Sequence, residues 1–167
     1  MAETNQENTH TIVINRIIDA APELVWKAWT DPKLVTRWWG PKDYISPGCK
    51  IDLRVGGKYI FCMRAPAEQG GQDSYTAGVY TRIVPNELLE FTQGLSDQDG
   101  NPIDPAQIGM PADFPREIRT VVEFKPIRSG ELTELVVTEH GWSMGQMAVY
   151  SLAGMHQSID KLIASLR

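Results

Sequence analysis

Four of the five tryptophans in this chain lie within fourteen consecutive residues. Tryptophan has the largest apolar side chain, and its indole N–H needs a hydrogen-bond partner when the ring is buried. A stripe of Leu24, Val25, Ala28 and Trp29 at helical spacing predicts an amphipathic helix with Trp29 facing inward. The segment therefore predicts a compact aromatic wedge that other elements must cover.

Proline and glycine divide this wedge into two short helices. Asp31-Pro32 ends the first helix, because the residue before a proline avoids the α region. A second helix can begin at Pro32, since proline is tolerated at the first helical position. Gly40-Pro41 then ends it.

Length and composition indicate one globular domain. The chain has 167 residues, of which 42% are hydrophobic and 22% are charged, as is typical of globular proteins. We expect residues 1–8 to be a flexible tail and residues 9–167 to form a single domain.

Charge and cysteine content exclude several classes of protein. A net charge of −5 argues against nucleic acid or an anionic membrane as a partner. No apolar run approaches the roughly 18 residues of a membrane span, and the polar, acidic N-terminus is unlike a signal peptide. Two cysteines, Cys49 and Cys62, do not make a disulfide framework. We expect a soluble cytoplasmic protein.

Alternating and β-branched segments predict seven strands. Gly56-Gly57 is a two-residue hairpin signal between the second and the third. The predicted strands are 11–18, 49–55, 58–64, 75–84, 87–93, 116–125 and 132–140. The two short helices fall between the first strand and the second.

The last segment, residues 145–166, predicts one long helix. Its apolar residues recur at steps of three and four and are Leu152, Met155, Ile159, Leu162 and Leu166. A single long helix after hairpin-linked strands must lie across the sheet to bury this stripe. The chain is therefore predicted to be an α+β domain.

This order of elements and four local motifs resemble the START-like helix-grip (SRPBCC) superfamily. Within it, the chain is similar to the bacterial branch named after the C-terminal domain of the activator of the heat-shock protein 90 ATPase. The motifs are Val25-Trp-x-x-Trp29-Thr-Asp-Pro32, Arg37-Trp-Trp-Gly-Pro41, Asp52-Leu-Arg-Val-Gly-Gly57 and Ile83-Val-Pro85-x-Glu87-x-Leu89.

The resemblance implies a curved antiparallel sheet of about seven strands around the long C-terminal helix, with a cavity between them. It implies an intracellular protein without an obligate metal, nucleotide or other cofactor. Lipid carriers, hormone receptors, cyclases and chaperone partners share the superfamily, so the fold alone does not define the activity. The branch often has Gly-Trp where this chain has Gly154-Met155. A methionine side chain is more flexible than an indole, so packing at this position is more adaptable.

The hairpin signal at Gly56-Gly57 predicts which side chains of the two flanking strands lie on the same face. A two-residue turn pairs Val55 with Lys58 and Arg54 with Tyr59. One face then carries an aliphatic core of Ile51, Leu53, Val55, Ile60 and Cys62, and the other carries Asp52, Arg54, Tyr59, Phe61 and Met63.

Two interpretations of the second face stay open. It can be a cavity wall in which a few polar groups orient an apolar ligand. Alternatively, Asp52 and Arg54 pair on a solvated face with Tyr59 as a cross-strand neighbour. In this register Cys49 and Cys62 are diagonal neighbours about 7–8 Å apart, which disfavours a disulfide.

Few other residues suggest chemistry. Glu139 and His140 are adjacent in a strand and point to opposite faces, so they do not form an acid–base pair. Neither zinc nor iron has a set of ligands at suitable spacing. Asp97 and Asp99 resemble the start of a calcium loop, but the spacing of their glycine indicates a turn. The loop 94–115 carries apolar residues, including Phe114, that predict a flap over one end of the cavity.

We therefore expect a small-molecule binding protein whose partner is an unidentified hydrophobic molecule, as a monomer or a homodimer. Met144, Met147 and Met155 would give its cavity adaptable walls. Two alternatives are an interaction protein that activates a chaperone ATPase, and a cyclase- or hydrolase-like enzyme that uses the same cavity. Acid–base groups for the enzyme would come from Arg54, Tyr59, Tyr80, Glu139 or His140. The candidate cavity residues are Trp38, Trp39, Arg54, Tyr59, Phe61, Met63, Tyr80, Phe114, His140, Trp142, Met147 and Met155.

Overall fold

The computed structural model describes residues 9–143 and 145–167, which form a seven-stranded antiparallel sheet, three α-helices and three short 3-10 helices. The elements are β1 (Thr9–Ile18), α1 (Pro22–Thr30), α2 (Pro32–Val35), β2 (Cys49–Ile51), β3 (Lys58–Arg64), β4 (Asp73–Val84), β5 (Leu88–Ser96), β6 (Ile118–Ile127), β7 (Leu132–Ser143) and α3 (Gln146–Ser165). The predicted order and the α+β helix-grip class are confirmed. The predicted tail 1–8 and Met144 lie outside the described residues.

Pairing runs β1-β7-β6-β5-β4-β3-β2, so the first strand joins the last. Side chains alternate between the two faces of each strand. On the inner face, which the helices cover, Ile14, Val137, Val122 and Leu89 stand in one row across four strands, all at most 1% exposed. This row is the apolar floor of the interior. Among the described residues, no helix is long and apolar enough to cross a membrane.

Helix α1 packs its aromatic face onto this floor. Trp26 meets Phe124 of β6 edge to face, with ring centroids 5.2 Å apart, and Trp29 is 2% exposed. Leu24 is 50% exposed, so its predicted place in the buried stripe is wrong. The helix turns both Trp26 and Trp29 inward, which rotates Leu24 toward solvent.

Helix α2 is shorter than predicted and ends at Val35. The chain continues in a tight turn, in which the N–H groups of Trp38 and Trp39 both donate to the Val35 carbonyl, at 3.1 and 3.0 Å. Trp38 is completely buried, and its indole N–H donates to the carbonyl of Ala28 at 2.8 Å. This bond ties the turn back to α1.

Helix α3 lies across the inner face with Met155, Ile159 and Leu162 buried. Leu152 and Leu166, predicted in the same stripe, are partly buried against the core. The predicted helical face is therefore correct at its centre and less enclosed toward its ends.

Two side chains fasten α3 to its surroundings. The Lys161 ammonium donates to the carbonyls of Gly40, Pro41 and Tyr44 at 2.9, 3.3 and 3.0 Å. On the opposite side Arg16 of β1 pairs with Asp160 at 2.6 Å. The C-terminal half of α3 is thus held between β1 and the loop that follows Trp39.

The predicted register of the β2–β3 hairpin is wrong. Cys49 pairs with Phe61 and Ile51 with Tyr59, and β2 stops at Ile51. The Gly56 N–H donates to the carbonyl of Tyr80 at 2.8 Å, so the two glycines belong to the contact with β4 and do not form a two-residue turn.

This shift changes which residues face inward. Tyr59 and Phe61 are buried in the interior, whereas Leu53 and Val55, predicted as core, are 40% and 63% exposed. Cys49 and Cys62 now lie on opposite faces, and both thiols are free.

Because Gly78 of β4 has no side chain, the side chain of Tyr59 can extend over β4 to reach β5. The two residues are paired, and the Tyr59 hydroxyl donates to the carbonyl of Thr92 on the next strand at 2.6 Å. A Cβ atom at Gly78 would overlap that same carbonyl oxygen. Tyr59 therefore covers a place where no side chain fits.

We predict that Gly78→Ala lowers the free energy of unfolding by about 3 kcal/mol, the upper part of the overpacking range, because the new methyl group meets backbone. Urea unfolding measures the loss. Gly48→Ala is the matched control, since a Cβ there has no atom within 4 Å, and it should change stability by less than about 0.5 kcal/mol. Equal effects of the two substitutions would contradict the role of Gly78.

Candidate functional site

A second row across the inner face contains the polar groups of the interior. Strand pairing aligns Ile12, Glu139, Thr120, Phe91 and Tyr80 on five neighbouring strands. All five are at most 4% exposed. Because neighbouring strands lie about 4.8 Å apart, this Glu139–Tyr80 row spans roughly 15 Å between its two ionisable residues. It sets a carboxyl, two hydroxyls and an aromatic ring in an otherwise apolar interior.

Glu139 is an acid inside the core. It is 1% exposed, and the indole N–H of Trp142 donates to its Oε2 at 2.7 Å. Burial raises the pKa of Glu139, and the bond from Trp142 offsets part of that rise by favouring the carboxylate. The buried charged residues of the described chain include no lysine or arginine, so no buried cation offsets the effect of burial on Glu139.

The two tyrosines of the interior differ in their hydrogen bonds. Tyr59 donates to Thr92, as described above. The Tyr80 hydroxyl and the Trp29 indole N–H are buried and have no partner within residues 9–143 and 145–167. Burial is the main cause that raises the pKa of both tyrosines, which keeps their hydroxyls protonated.

Aromatic side chains fill the space between sheet and helices. A narrow gap remains that leaves no room for a water molecule, and it is lined by Trp29, Tyr59, Phe61, Tyr80, Leu89 and Phe91. The cavity implied by the family resemblance is therefore closed in this structure.

The opposite end of the interior has an opening under the loop that precedes β6. Phe114 packs edge to face on Trp142, with ring centroids 5.5 Å apart. Beside this pair lies a cavity of about 40 Å³, whose lining includes Thr76 and Gln93. We call the surroundings of Phe114 and Trp142 the mouth. Phe114 is partly buried against the core, while Ile108 of the same loop is 48% exposed, and a role of the loop as a flap stays a prediction.

The structure brings most of the predicted cavity residues to the interior. Seven are buried and three are partly buried against the core. The buried ones are Trp38, Trp39, Tyr59, Phe61, Tyr80, Trp142 and Met155, and the partly buried ones are Met63, Phe114 and Met147. Contact of any of them with a ligand stays a prediction.

Arg54 and His140 lie outside the interior. Arg54 sits in the loop after β2 with 71% of its side chain exposed, and its guanidinium pairs with Asp52 at 2.9 Å. This is the solvated pair that the second interpretation of the hairpin predicted, although Tyr59 is not its neighbour. His140 points away from Glu139, as the alternation of a strand requires, and its Nδ1 lies 3.5 Å from the Thr11 hydroxyl.

The sequence-based candidates omitted Trp29, Phe91 and Thr120, and placed Glu139 only among acid–base groups. Strand alternation was the available signal. In the segment from Leu135 through Val137 to Glu139, every second residue faces inward, so the acid belongs with the core.

A roomier pocket of about 340 Å³ lies on the outer face of β2, β3 and β4. Its lining includes Cys62, Tyr75 and a two-bond ion pair between Arg64 and Asp73, at 2.8 and 3.2 Å. These charges satisfy each other, and burial raises the pKa of the Cys62 thiol, which makes it unreactive. The chemistry of the inner face is therefore the better candidate despite its smaller volume.

The described residues contain no group of three His, Cys, Asp or Glu side chains that could hold a metal ion. The carboxylate of Asp97 accepts from the N–H groups of Asp99 and Asn101, at 2.9 and 3.0 Å. These acids form the predicted turn.

Comparison with known proteins identifies relatives of this arrangement. The family model described as "Activator of Hsp90 ATPase homolog 1-like protein" matches residues 19–167. A crystal structure from Chromobacterium violaceum is 26% identical, covers 93% of this chain and 96% of its own, and has a TM-score of 0.71. A solution structure from Arthrobacter aurescens is 25% identical over 93% and 85% of the two chains, with a TM-score of 0.74.

An AHSA1-like protein from Aeromonas hydrophila has the same fold, with 23% identity, a TM-score of 0.68 and coverage of 94% and 92%. No curated protein matches the chain. The family match and these structures confirm the resemblance to the helix-grip branch.

We predict that Glu139→Gln stabilises the free protein at pH 8 and less so near pH 4.5. Folding raises the pKa of Glu139, so its favourable contribution is complete below the unfolded pKa of about 4.3 and is lost as the pH rises through the folded pKa. Glutamine keeps the acceptor for Trp142 without a charge. Urea unfolding at both pH values measures the difference.

Glu134→Gln is the matched control, because Glu134 lies on the outer face of the same strand, where Asn15 donates to it at 3.2 Å. The control should show no such gain at pH 8. A Glu139→Gln effect that is constant from pH 4.5 to pH 8 would refute the buried titration.

Proposed function

Because the chain belongs to the activator of Hsp90 ATPase homolog 1-like family, we propose that its inner sheet face binds a small, mainly apolar molecule. The observation that supports this most is Glu139, an acid at 1% exposure within an apolar interior. Ligand sites combine apolar and aromatic walls with a few placed polar groups, and the Glu139–Tyr80 row has this composition.

The Glu139 carboxyl makes fewer hydrogen bonds within the protein than it is able to make. A buried polar group destabilises a protein unless its hydrogen bonds are made. Within the described chain the carboxyl receives one hydrogen bond, from Trp142, although a carboxyl can take part in several. The carboxyl therefore has capacity for further hydrogen bonds to a ligand.

The mouth offers the route to this acid. Trp142 contacts Phe114 with its ring and Glu139 with its N–H, so one side chain joins the surface to the polar row. A molecule that displaces the Phe114 ring would first meet Trp142 and the 40 Å³ cavity, then Glu139.

Entry requires the interior to open, and the mouth is the end that opens with least loss of contact. A pocket of about 210 Å³ separates the first turns of α3 from β1, between Ile12 and Leu152. Val149 and Tyr150 of these turns are 62% and 56% exposed. The other end of α3 is fastened by Lys161 and Arg16. We therefore propose that the N-terminal half of α3 and the Phe114 loop move when the ligand enters.

We predict that 2-ethylnaphthalene, an apolar two-ring probe, binds and raises the Tm. A ligand at ten times its Kd stabilises by about 1.4 kcal/mol, which corresponds to roughly 3–6 °C for a chain of this size. Differential scanning calorimetry gives the shift, and equilibrium dialysis gives the Kd.

Two variants of the same loop test the location. Phe114→Ala should weaken binding about tenfold, because the ligand loses an aromatic contact of about 1.4 kcal/mol. Ile108→Ala, at an exposed position, should leave the Kd unchanged. Absence of any Tm shift with the parent protein would reject the proposed function, and equal losses in both variants would reject the mouth as the route.

A further inference from the structure

Two buried hydrogen-bond donors in the interior have no acceptor among the described residues. Trp29 Nε1 and the Tyr80 hydroxyl are without partners in the described part of the chain, in side chains that are 2% and 1% exposed. The great majority of buried polar groups in proteins are hydrogen-bonded, so each exception requires an explanation. Both side chains line the same gap, which is too narrow for a water molecule to supply the missing bonds.

Comparable groups in the same cluster do have partners. Trp38 donates its indole N–H to Ala28, and Tyr59 donates its hydroxyl to Thr92. Both are as deeply buried as Trp29 and Tyr80. The local backbone can therefore satisfy an indole and a phenol here, and Trp29 and Tyr80 differ in that their donors are unused.

We infer that the gap between Trp29 and Tyr80, once the interior opens around a bound molecule, is a subsite for a hydrogen-bond acceptor of that molecule, in the form of a neutral carbonyl oxygen. This inference rests on the proposed function and specifies its ligand class. An indole N–H can only donate and a phenol can donate, so an accepting oxygen is the kind of group that either of them lacks. Burial keeps the Tyr80 hydroxyl protonated and thus a donor.

The charge of the interior selects a neutral group. A carboxylate in the gap would be a buried anion without a cation, because the buried charged residues of the described chain include neither lysine nor arginine. Burial is the main cause, and the charge of Asp31 the second, that raises the pKa of the Cys49 thiol to about 11. Aromatic rings around the gap, such as that of Phe91, would pack against an aromatic or aliphatic group attached to the carbonyl.

Two probes that differ mainly in one oxygen test the subsite. Equilibrium dialysis of the full chain should show that 2-acetylnaphthalene binds about tenfold more tightly than 2-ethylnaphthalene, as one or two additional net hydrogen bonds would provide. Tyr80→Phe should reduce this ratio toward one.

A matched pair of variants supplies a readout without ligand. Tyr80→Phe removes an unpaired hydroxyl and should raise the Tm of the free protein, because the penalty of the unsatisfied group disappears. Tyr59→Phe removes a hydroxyl that is bonded to Thr92 and should lower the Tm.

The outcomes separate the two proposals. Equal affinity of the parent protein for both probes overturns the acceptor subsite and leaves the proposed function standing. Binding of neither probe overturns both. A lower Tm for Tyr80→Phe, with both probes weakened equally, assigns Tyr80 a packing role and also overturns the subsite.

Discussion

The bond from the buried Trp38 indole to the Ala28 carbonyl is the constraint on which the interior depends. It holds the turn after α2 against α1, and ring contacts then continue through the protein. Trp38 touches Trp29 and Trp39, with centroids 4.7 and 5.7 Å apart, and Trp39 meets Phe61 of β3 at 4.7 Å. The helical wedge and the far side of the sheet are therefore one aromatic structure, and neither can shift alone.

This continuous aromatic packing explains why the interior is full. Tyr59 contacts Phe61, Tyr80 and Phe91, at centroid distances of 4.8, 5.4 and 5.3 Å. A ligand that enters would replace ring–ring contacts by ring–ligand contacts of similar strength, so apolar burial alone gives little net affinity. Under the proposed function, discrimination between ligands would then fall to the few polar groups, above all Glu139.

The sequence predicted the order of elements, because alternation and turn residues are local signals. It did not predict the register at Gly56-Gly57. Those glycines resemble a hairpin turn, but Gly57 is required because a Cβ there would overlap the carbonyl of Asp52. A close approach between two backbone segments produces no periodic pattern in the amino-acid sequence. For the same reason the choice between a cavity wall and a solvated face for Arg54 stayed open. The unpartnered donors of Trp29 and Tyr80 could not be foreseen, since hydrogen bonding depends on distances that only the folded chain fixes.

The polar groups of the inner face also carry an energetic argument. Each unsatisfied buried donor costs about 1–3 kcal/mol, and a folded domain is stable by only about 5–15 kcal/mol. Phenylalanine in place of Tyr80 would keep nearly the same shape without that loss. A core that served packing alone would gain from this change and from a neutral residue in place of Glu139. Under the proposed function, a ligand that supplies the missing partners would recover in the complex the stability that the free protein lacks.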